Sequence, residues 1–186
     1  MHHIAIISAS VRIGRQSHRV ALFFKKYIED NNLATVEILD LMEYQFPLFD
    51  ERLQYQENPA PKTLEFAEKI KAANGVLIVT PEYNGGYPAA LKNVTDLLYK
   101  EWRHKPLAIS TVSNGQFGGS QVITSLLFTI WKIGAWVVPS MFPVPSVQDN
   151  YDEQGNAINK EATEKRAKIF VGELLWCMEA SARMEG

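Results

Sequence analysis

A single cysteine, Cys177, occurs among 186 residues, so no disulfide can form within the chain. That scarcity fits a reducing compartment. Cys177 lies in a terminal helical pattern beside Leu174, Leu175 and Met178, where a buried, inert thiol is expected. Charge of either sign is also in short excess: 19 Lys and Arg face 21 Asp and Glu, a formal net charge of −2. Nucleic acid and anionic membranes select basic patches, so neither is indicated as a partner. No basic segment precedes an apolar one, and no secretory leader is expected. The most apolar stretch, Val122 to Val138, is broken by Lys132 and Gly134 and falls short of the roughly 20 residues of a membrane span. A cytoplasmic location is the expectation. Among His2, His3, His18 and His104, none has metal-ligand spacing with another histidine or with Cys177. A Walker phosphate loop and the GxGxxG dinucleotide fingerprint are both missing, which leaves an ATPase reading little support.

What the chain does have is a regular order of elements. Short apolar, β-rich runs occur near Ile4–Ser8, Thr35–Leu39, Val76–Thr80, Leu107–Thr111 and Ala135–Val138. Helical spacing fills the intervals, at Ser17–Asn31, Pro61–Ala73, Pro88–Tyr99, Gly119–Ile133 and Lys160–Arg183. Strict alternation implies a doubly wound parallel sheet with right-handed crossovers, and residues 1–186 are expected to form a single domain. Two stretches are irregular. Leu41 to Asn58 carries Phe46 and Phe49 in a connection too long to be idle, either facing a substrate or tucked under as a satellite cluster. Pro143 to Asn159 has turn chemistry at Asp149-Asn150 and Glu153 to Asn156, the pattern of a surface excursion.

Three connections follow three strands and share a chemistry. Ser8 to His18 (SASVRIGRQSH) is rich in small hydroxyl residues and leads into a helix N-terminus. Backbone N–H groups and about half a positive charge from the helix dipole make such a place an anion site. Arg12 and Arg15 can add charge there; the plainer alternative has Ser10 and Ser17 as ordinary helix caps with both arginines solvated. Thr80 to Asp96 (TPEYNGGYPAALKNVTD) offers turn geometry, free N–H groups and an aromatic ring at the carboxyl edge of a strand, where open α/β sheets bind ligands. Alone, it would be a tight turn that starts a helix. Ser113 to Ser120 (SNGQFGGS) supplies a third glycine-rich loop before a helix. That helix is apolar on nearly every side, through Val122, Ile123, Leu126, Leu127, Phe128, Ile130 and Trp131. An outer helix of this kind points to a subunit interface.

These three loops, in order and spacing from Ile4 to about Val144, resemble the NADPH-dependent FMN reductase family of the flavodoxin-like superfamily, which includes small FMN quinone, azo-dye and chromate reductases. The resemblance implies a three-layer α/β/α sandwich with a five-stranded parallel sheet in the order 2-1-3-4-5 and FMN at the switch between strands 1 and 3. It places Ser10, Arg12, Arg15, Gln16 and Ser17 around the FMN phosphate. Pro81, Glu82, Tyr83, Asn84 and Gly85 would lie along the ring, with Ser113, Gly115 and Gly118 on its other side. Backbone N–H groups near Gly118 and Gly119 would face the pyrimidine edge of the flavin. Ala9 departs from the glycine of a GSxR opening, and Asn114 and Gln116 stand where relatives carry small residues.

The implied activity is a two-step hydride transfer from NADPH or NADH, through FMN, to a small oxidised acceptor such as a flavin, quinone, azo compound or metal oxyanion. No catalytic acid–base pair and no metal are expected, because the cofactor carries the chemistry. Glu82 is expected to support its loop and Asp96 to lie on a helix surface. A homodimer or homotetramer is implied, joined through the helices over 88–99 and 119–133. The competing reading is a flavodoxin-type electron carrier without a substrate of its own. Strong acidity and phosphate loops rich in Thr and Gly mark such carriers, and this chain has neither. A flavodoxin-like binding module without cofactor is the more distant rival.

Overall fold

The computed structural model describes residues 1–185. Five strands, β1 (His3–Ser8), β2 (Thr35–Asp40), β3 (Gly75–Pro81), β4 (Pro106–Val112) and β5 (Trp136–Val144), form one sheet in the order β2-β1-β3-β4-β5. Every neighbouring pair is parallel. The crossovers carry α1 (His18–Asp30), α2 (Leu41–Tyr44), α3 (Pro61–Ala72), α4 (Ala89–Leu97) and α5 (Ser120–Lys132); α6 (Val147–Asn150) and α7 (Lys160–Glu185) follow β5. This is the flavodoxin-like order expected.

Side chains alternate across a strand, so each central strand feeds two cores. Ile4 and Ile6 of β1, with Leu77 and Val79 of β3, pack on the α1/α7 side with Phe23, Phe24, Phe142 and Phe170. Ala5, Ile7, Val76 and Ile78 face the other way, onto Phe66, Leu91, Trp102 and Leu126. Burial on both faces is why these strands are continuous apolar runs rather than alternating ones. Cys177 belongs to the α7 core, and burial pushes its thiol pKa up. No helix among the described residues is long and apolar enough to cross a membrane.

Two segments differ from expectation. β5 runs on to Val144 rather than ending at Val138. Two prolines in the run read as breakers, but β5 is an edge strand, where proline is tolerated. From Leu107↔Val137 to Ile109↔Met141 the pairing slips, and Pro139 falls in that bulge. The second difference concerns Pro143 to Asn159, which is not merely a surface excursion. Val147 and Tyr151 are buried, and Tyr151 meets the Phe23 ring edge-on at 5.4 Å. Gly155, at φ +80°, lets the following turn press directly on α1.

The segment after β2 is held by built contacts. Asp40 accepts a hydrogen bond from the Met42 N–H at 3.0 Å and starts α2. Phe46 stacks on Tyr44 at 5.2 Å and lies edge-on to Phe66. Asn93 of α4 accepts from the Phe49 N–H and donates to the Pro47 carbonyl at 2.7 Å. On α5, Val122, Leu126 and Ile130 face the core, whereas Phe128 and Trp131 are 65% and 67% exposed. The helix is largely apolar, yet the chain buries only one side of it.

Candidate functional site

The three loops leave the carboxyl ends of β1, β3 and β4, and the sheet ladder continues one rung into each. The Ala9 N–H donates to Val79, Glu82 to Val112 and Ser113 to Val144, at 3.0–3.2 Å. Those rungs hold the loops side by side. The Ser10 hydroxyl and Tyr83 phenol are 2.6 Å apart, joining the first loop to the second. Between them lies a cavity of about 150 Å³. The first loop lines it with Ser10, Arg12, Arg15, Gln16 and Ser17, the second with Pro81, Glu82 and Tyr83, and the third with Ser113. Asn114, Val112 and Val147 complete the wall. Val112 closes a strand and Val147 comes from the segment after β5, so no local motif could have marked either.

Four expected residues sit outside that lining. Asn84 (φ 52°) and Gly85 (φ +79°) are the central pair of a two-residue turn that bridges Tyr83 and Gly86. Asn-Gly is the pair a type I′ turn demands, since both residues need positive φ. Gly115 accepts the Ser113 hydroxyl at 2.9 Å. Gly118 is buried at φ +61°, and its carbonyl accepts the Thr111 hydroxyl at 2.6 Å. A Cβ at Gly118 would come to 3.0 Å from Pro143 Cβ and 3.1 Å from the Val144 nitrogen, so only glycine fits without a shift.

Glu82 has a structural partner: its carboxylate accepts from the Gln121 N–H at 3.3 Å. It therefore sits at the N-terminus of α5, where Gly119 offers no side-chain cap and negative charge is favoured.

The two arginines of the first loop have separate fates. Arg12 is exposed, and its guanidinium has no side-chain partner among the described residues. Arg15 grips both carboxylate oxygens of Asp40 and donates to the Ser10 carbonyl at 2.8 Å. Asp40 was not singled out from the sequence, because its partner lies 25 residues away. His18 Nδ1 is 3.0 Å from the Ser8 hydroxyl and 3.6 Å from Asp40. Burial lowers the His18 pKa and the Arg15 charge lowers it further, against the pull of Asp40 and Glu43, so the imidazole is neutral at neutral pH.

Two buried side-chain polar atoms lack a hydrogen-bond partner among the described residues, and both are in this loop: Ser17 Oγ and Gln16 Oε1. Ser17 is the N-cap of α1 by position but makes no side-chain cap bond. Buried polar atoms are normally paired, so this pair marks a place for a polar ligand. The Ser17 hydroxyl, the free charge of Arg12 and the α1 N-terminus form a donor set that fits a phosphate group, and hence the phosphate end of FMN, whereas Gln16 Oε1 is an acceptor and is no part of it. A second cavity of about 450 Å³ lies against the same loop. Val11, Leu41, Met42, Phe46, Leu48 and Ala90 line it, and no charged side chain does.

Sheet order and the three loops gathered at its edge define a flavodoxin-like protein. The sequence model of the NADPH-dependent FMN reductase family matches residues 2–149, and the chain belongs to that family. It is 36% identical over 131 residues to an NAD(P)H-dependent FMN reductase of Saccharomyces cerevisiae, covering 63% of this chain and 68% of that one. A quinone reductase of Pseudomonas putida is 32% identical over 125 residues, 64% of each chain. The flavoenzyme FerB, an NAD(P)H:acceptor oxidoreductase from Paracoccus denitrificans, superposes with a TM-score of 0.77 over 96% of this chain and 98% of its own, at 20% identity. That likeness is one of fold.

Proposed function

We propose that this protein is an FMN-dependent NAD(P)H oxidoreductase that reduces a small oxidised acceptor, a flavin, quinone, azo compound or metal oxyanion. The whole chain acts as a single domain, in the cytoplasm. The observation that carries the reading is the buried, unpartnered Ser17 hydroxyl at the N-terminus of α1, beside the free Arg12. Family membership and the relatives named above support the same activity.

When bound, FMN supplies the hydride chemistry. The residues supply binding and orientation. Ser10, Arg12, Gln16 and Ser17 hold the phosphate, with the α1 dipole adding attraction. Pro81, Glu82 and Tyr83 would line the side along the ring, stiffened by the Asn84-Gly85 turn behind them and the Ser10–Tyr83 bond. Ser113 would line the opposite side, with Gly115 and Gly118 shaping its loop, and Glu82 ties the second loop to the N-terminus of α5 through the Gln121 N–H.

The test is a visible spectrum of the purified protein, taken without oxygen before and after NADPH. A flavin band that bleaches within the mixing time is expected; a band that NADPH leaves untouched would favour an electron carrier. The working form is a homodimer or homotetramer joined through α4 and α5. Exposed Phe128 and Trp131, whose rings lie 5.8 Å apart, support this. Phe128→Glu with Trp131→Glu should lower the mass seen by light scattering to that of a monomer. An unchanged oligomer would exclude this face.

A further inference from the structure

We infer that Asp40 is a positioning residue for the phosphate loop, acting through Arg15, and that Arg15 braces the loop instead of contacting the phosphate. The inference rests on the FMN reading above and divides two arginines that sequence treats alike.

The brace is anchored at every point. Asp40 is 5% exposed and Arg15 15% exposed, so the pair is removed from water. Asp40 is the last residue of β2, in register with Ser8 at the end of β1, and it also holds the Met42 N–H that begins α2. It therefore cannot swing toward the loop. Arg15 reaches it with both terminal nitrogens, a planar fork onto a planar carboxylate. One of those nitrogens also donates to the Ser10 carbonyl. The Arg15 N–H closes onto the Arg12 carbonyl at 3.2 Å. Ser10, Arg12 and Arg15 are thus tied into one turn whose outer end rests on the sheet.

Competition by a phosphate for Arg15 would strip a buried carboxylate of its cation. Breaking one partner from a buried pair costs more than a single phosphate contact returns. The neighbouring His18 offers no replacement, since its Nδ1 is 3.6 Å from Asp40 and bonded to Ser8. The charge facing the phosphate is then that of Arg12 and the α1 N-terminus, while Arg15 and Asp40 cancel.

The two assignments predict opposite signs for one substitution. If Asp40 merely restrained a phosphate-binding Arg15, Asp40→Asn would free the guanidinium and tighten FMN binding. If Arg15 braces the loop, Asp40→Asn should weaken FMN binding by about tenfold or more. Asn keeps the oxygen that accepts from Met42, so α2 retains its cap.

The experiment titrates the full-length apo-protein with FMN and, separately, with riboflavin, following the quenching of flavin fluorescence. Arg15→Lys is run in parallel, because lysine keeps the charge and loses the fork. Both variants should lose FMN affinity, the double variant should be no worse than either alone, and riboflavin binding should stay as in the wild type. FMN binding by Asp40→Asn as tight as wild type or tighter would overturn the inference. So would wild-type affinity in Arg15→Lys, or equal losses for FMN and riboflavin. Should Asp40→Asn not fold, Asp40→Ser replaces it, since a serine hydroxyl keeps the Met42 N–H cap and removes the carboxylate, so the same opposite signs apply. A wild-type chain that binds no FMN is a separate result, and it removes the cofactor reading instead.

Discussion

Replacing Ser17 by alanine should push the free and the loaded protein in opposite directions. The Ser17 hydroxyl is buried, the residue being 2% exposed, and it finds no hydrogen-bond partner among the described residues. A buried hydroxyl in that condition costs about 1–3 kcal/mol relative to one left in water. Serine at a helix N-cap normally repays its burial, and exchange for alanine then loses about 1 kcal/mol. Ser17 makes no side-chain cap bond, so that loss does not arise. The apo form of Ser17→Ala is therefore expected to gain about 1 kcal/mol, a rise of roughly 2–4 °C in melting temperature for a chain of this size. Binding reverses the sign. A hydroxyl donated to a phosphate oxygen is a charge-assisted bond of about 1.5–3 kcal/mol, so its loss weakens FMN roughly 10- to 100-fold. Melting curves of the apo-protein and a fluorescence titration with FMN measure the two halves. A less stable apo-protein would mean that Ser17 caps α1 after all. Unchanged FMN affinity would mean that the phosphate lies elsewhere.

Arg12→Ala removes a loop charge that has no side-chain partner among the described residues and should weaken FMN by about 1.5–3 kcal/mol, leaving riboflavin unaffected in the same titration. His18 has a folded pKa below its ordinary 6.5, through burial first and the Arg15 charge second. Above that value the imidazole is neutral in both folded and unfolded chains. As pH falls through 6.5 toward the folded value, the unfolded chain takes up a proton that the folded one resists, and stability declines. His18→Gln should flatten that decline as pH falls below His18's ordinary value of 6.5 in urea unfolding, and an unaltered slope would point to other groups. At Gly155 a Cβ would lie 2.6 Å from Leu22 Cβ and 2.7 Å from the Arg19 carbonyl, in a backbone at φ +80°. Gly155→Ala should destabilise by upward of about 2 kcal/mol, the sum of left-handed strain and overpacking. A stability within experimental error of wild type would show that the turn can lift from α1.

Much of the fold was legible because its causes are local or nearly so. β1, β3 and β4 are buried on both faces and stand out as short apolar runs between helical patterns. β5 was cut short because Pro139 and Pro143 carry the local signature of a break, and only the edge position makes them acceptable. Val147 and Tyr151 were hidden for a similar reason. Turn residues surround them, and their burial depends on Phe23 of α1, far away in the chain. In the site, hydroxyl residues, glycines and Asn84-Gly85 could be located from the sequence because their geometry is set by the residues themselves. The partnership of Glu82 with Gln121 could not, since it spans 39 positions and joins the second loop to α5.

What the sequence by itself determined is the alternation of strand and helix, and with it a parallel sheet whose loops gather at one edge. Local periodicity sets the elements, and the right-handed crossover leaves little freedom in joining them. What only the tertiary structure decided is the division of labour within those loops. Arg12 and Arg15 are three residues apart in one loop and chemically identical. One is free, and the other is held by Asp40, which register with Ser8 brings to the end of β1. Whether a charge is spent inside the protein or left for a ligand depends on what stands within hydrogen-bond reach, and that is a property of packing.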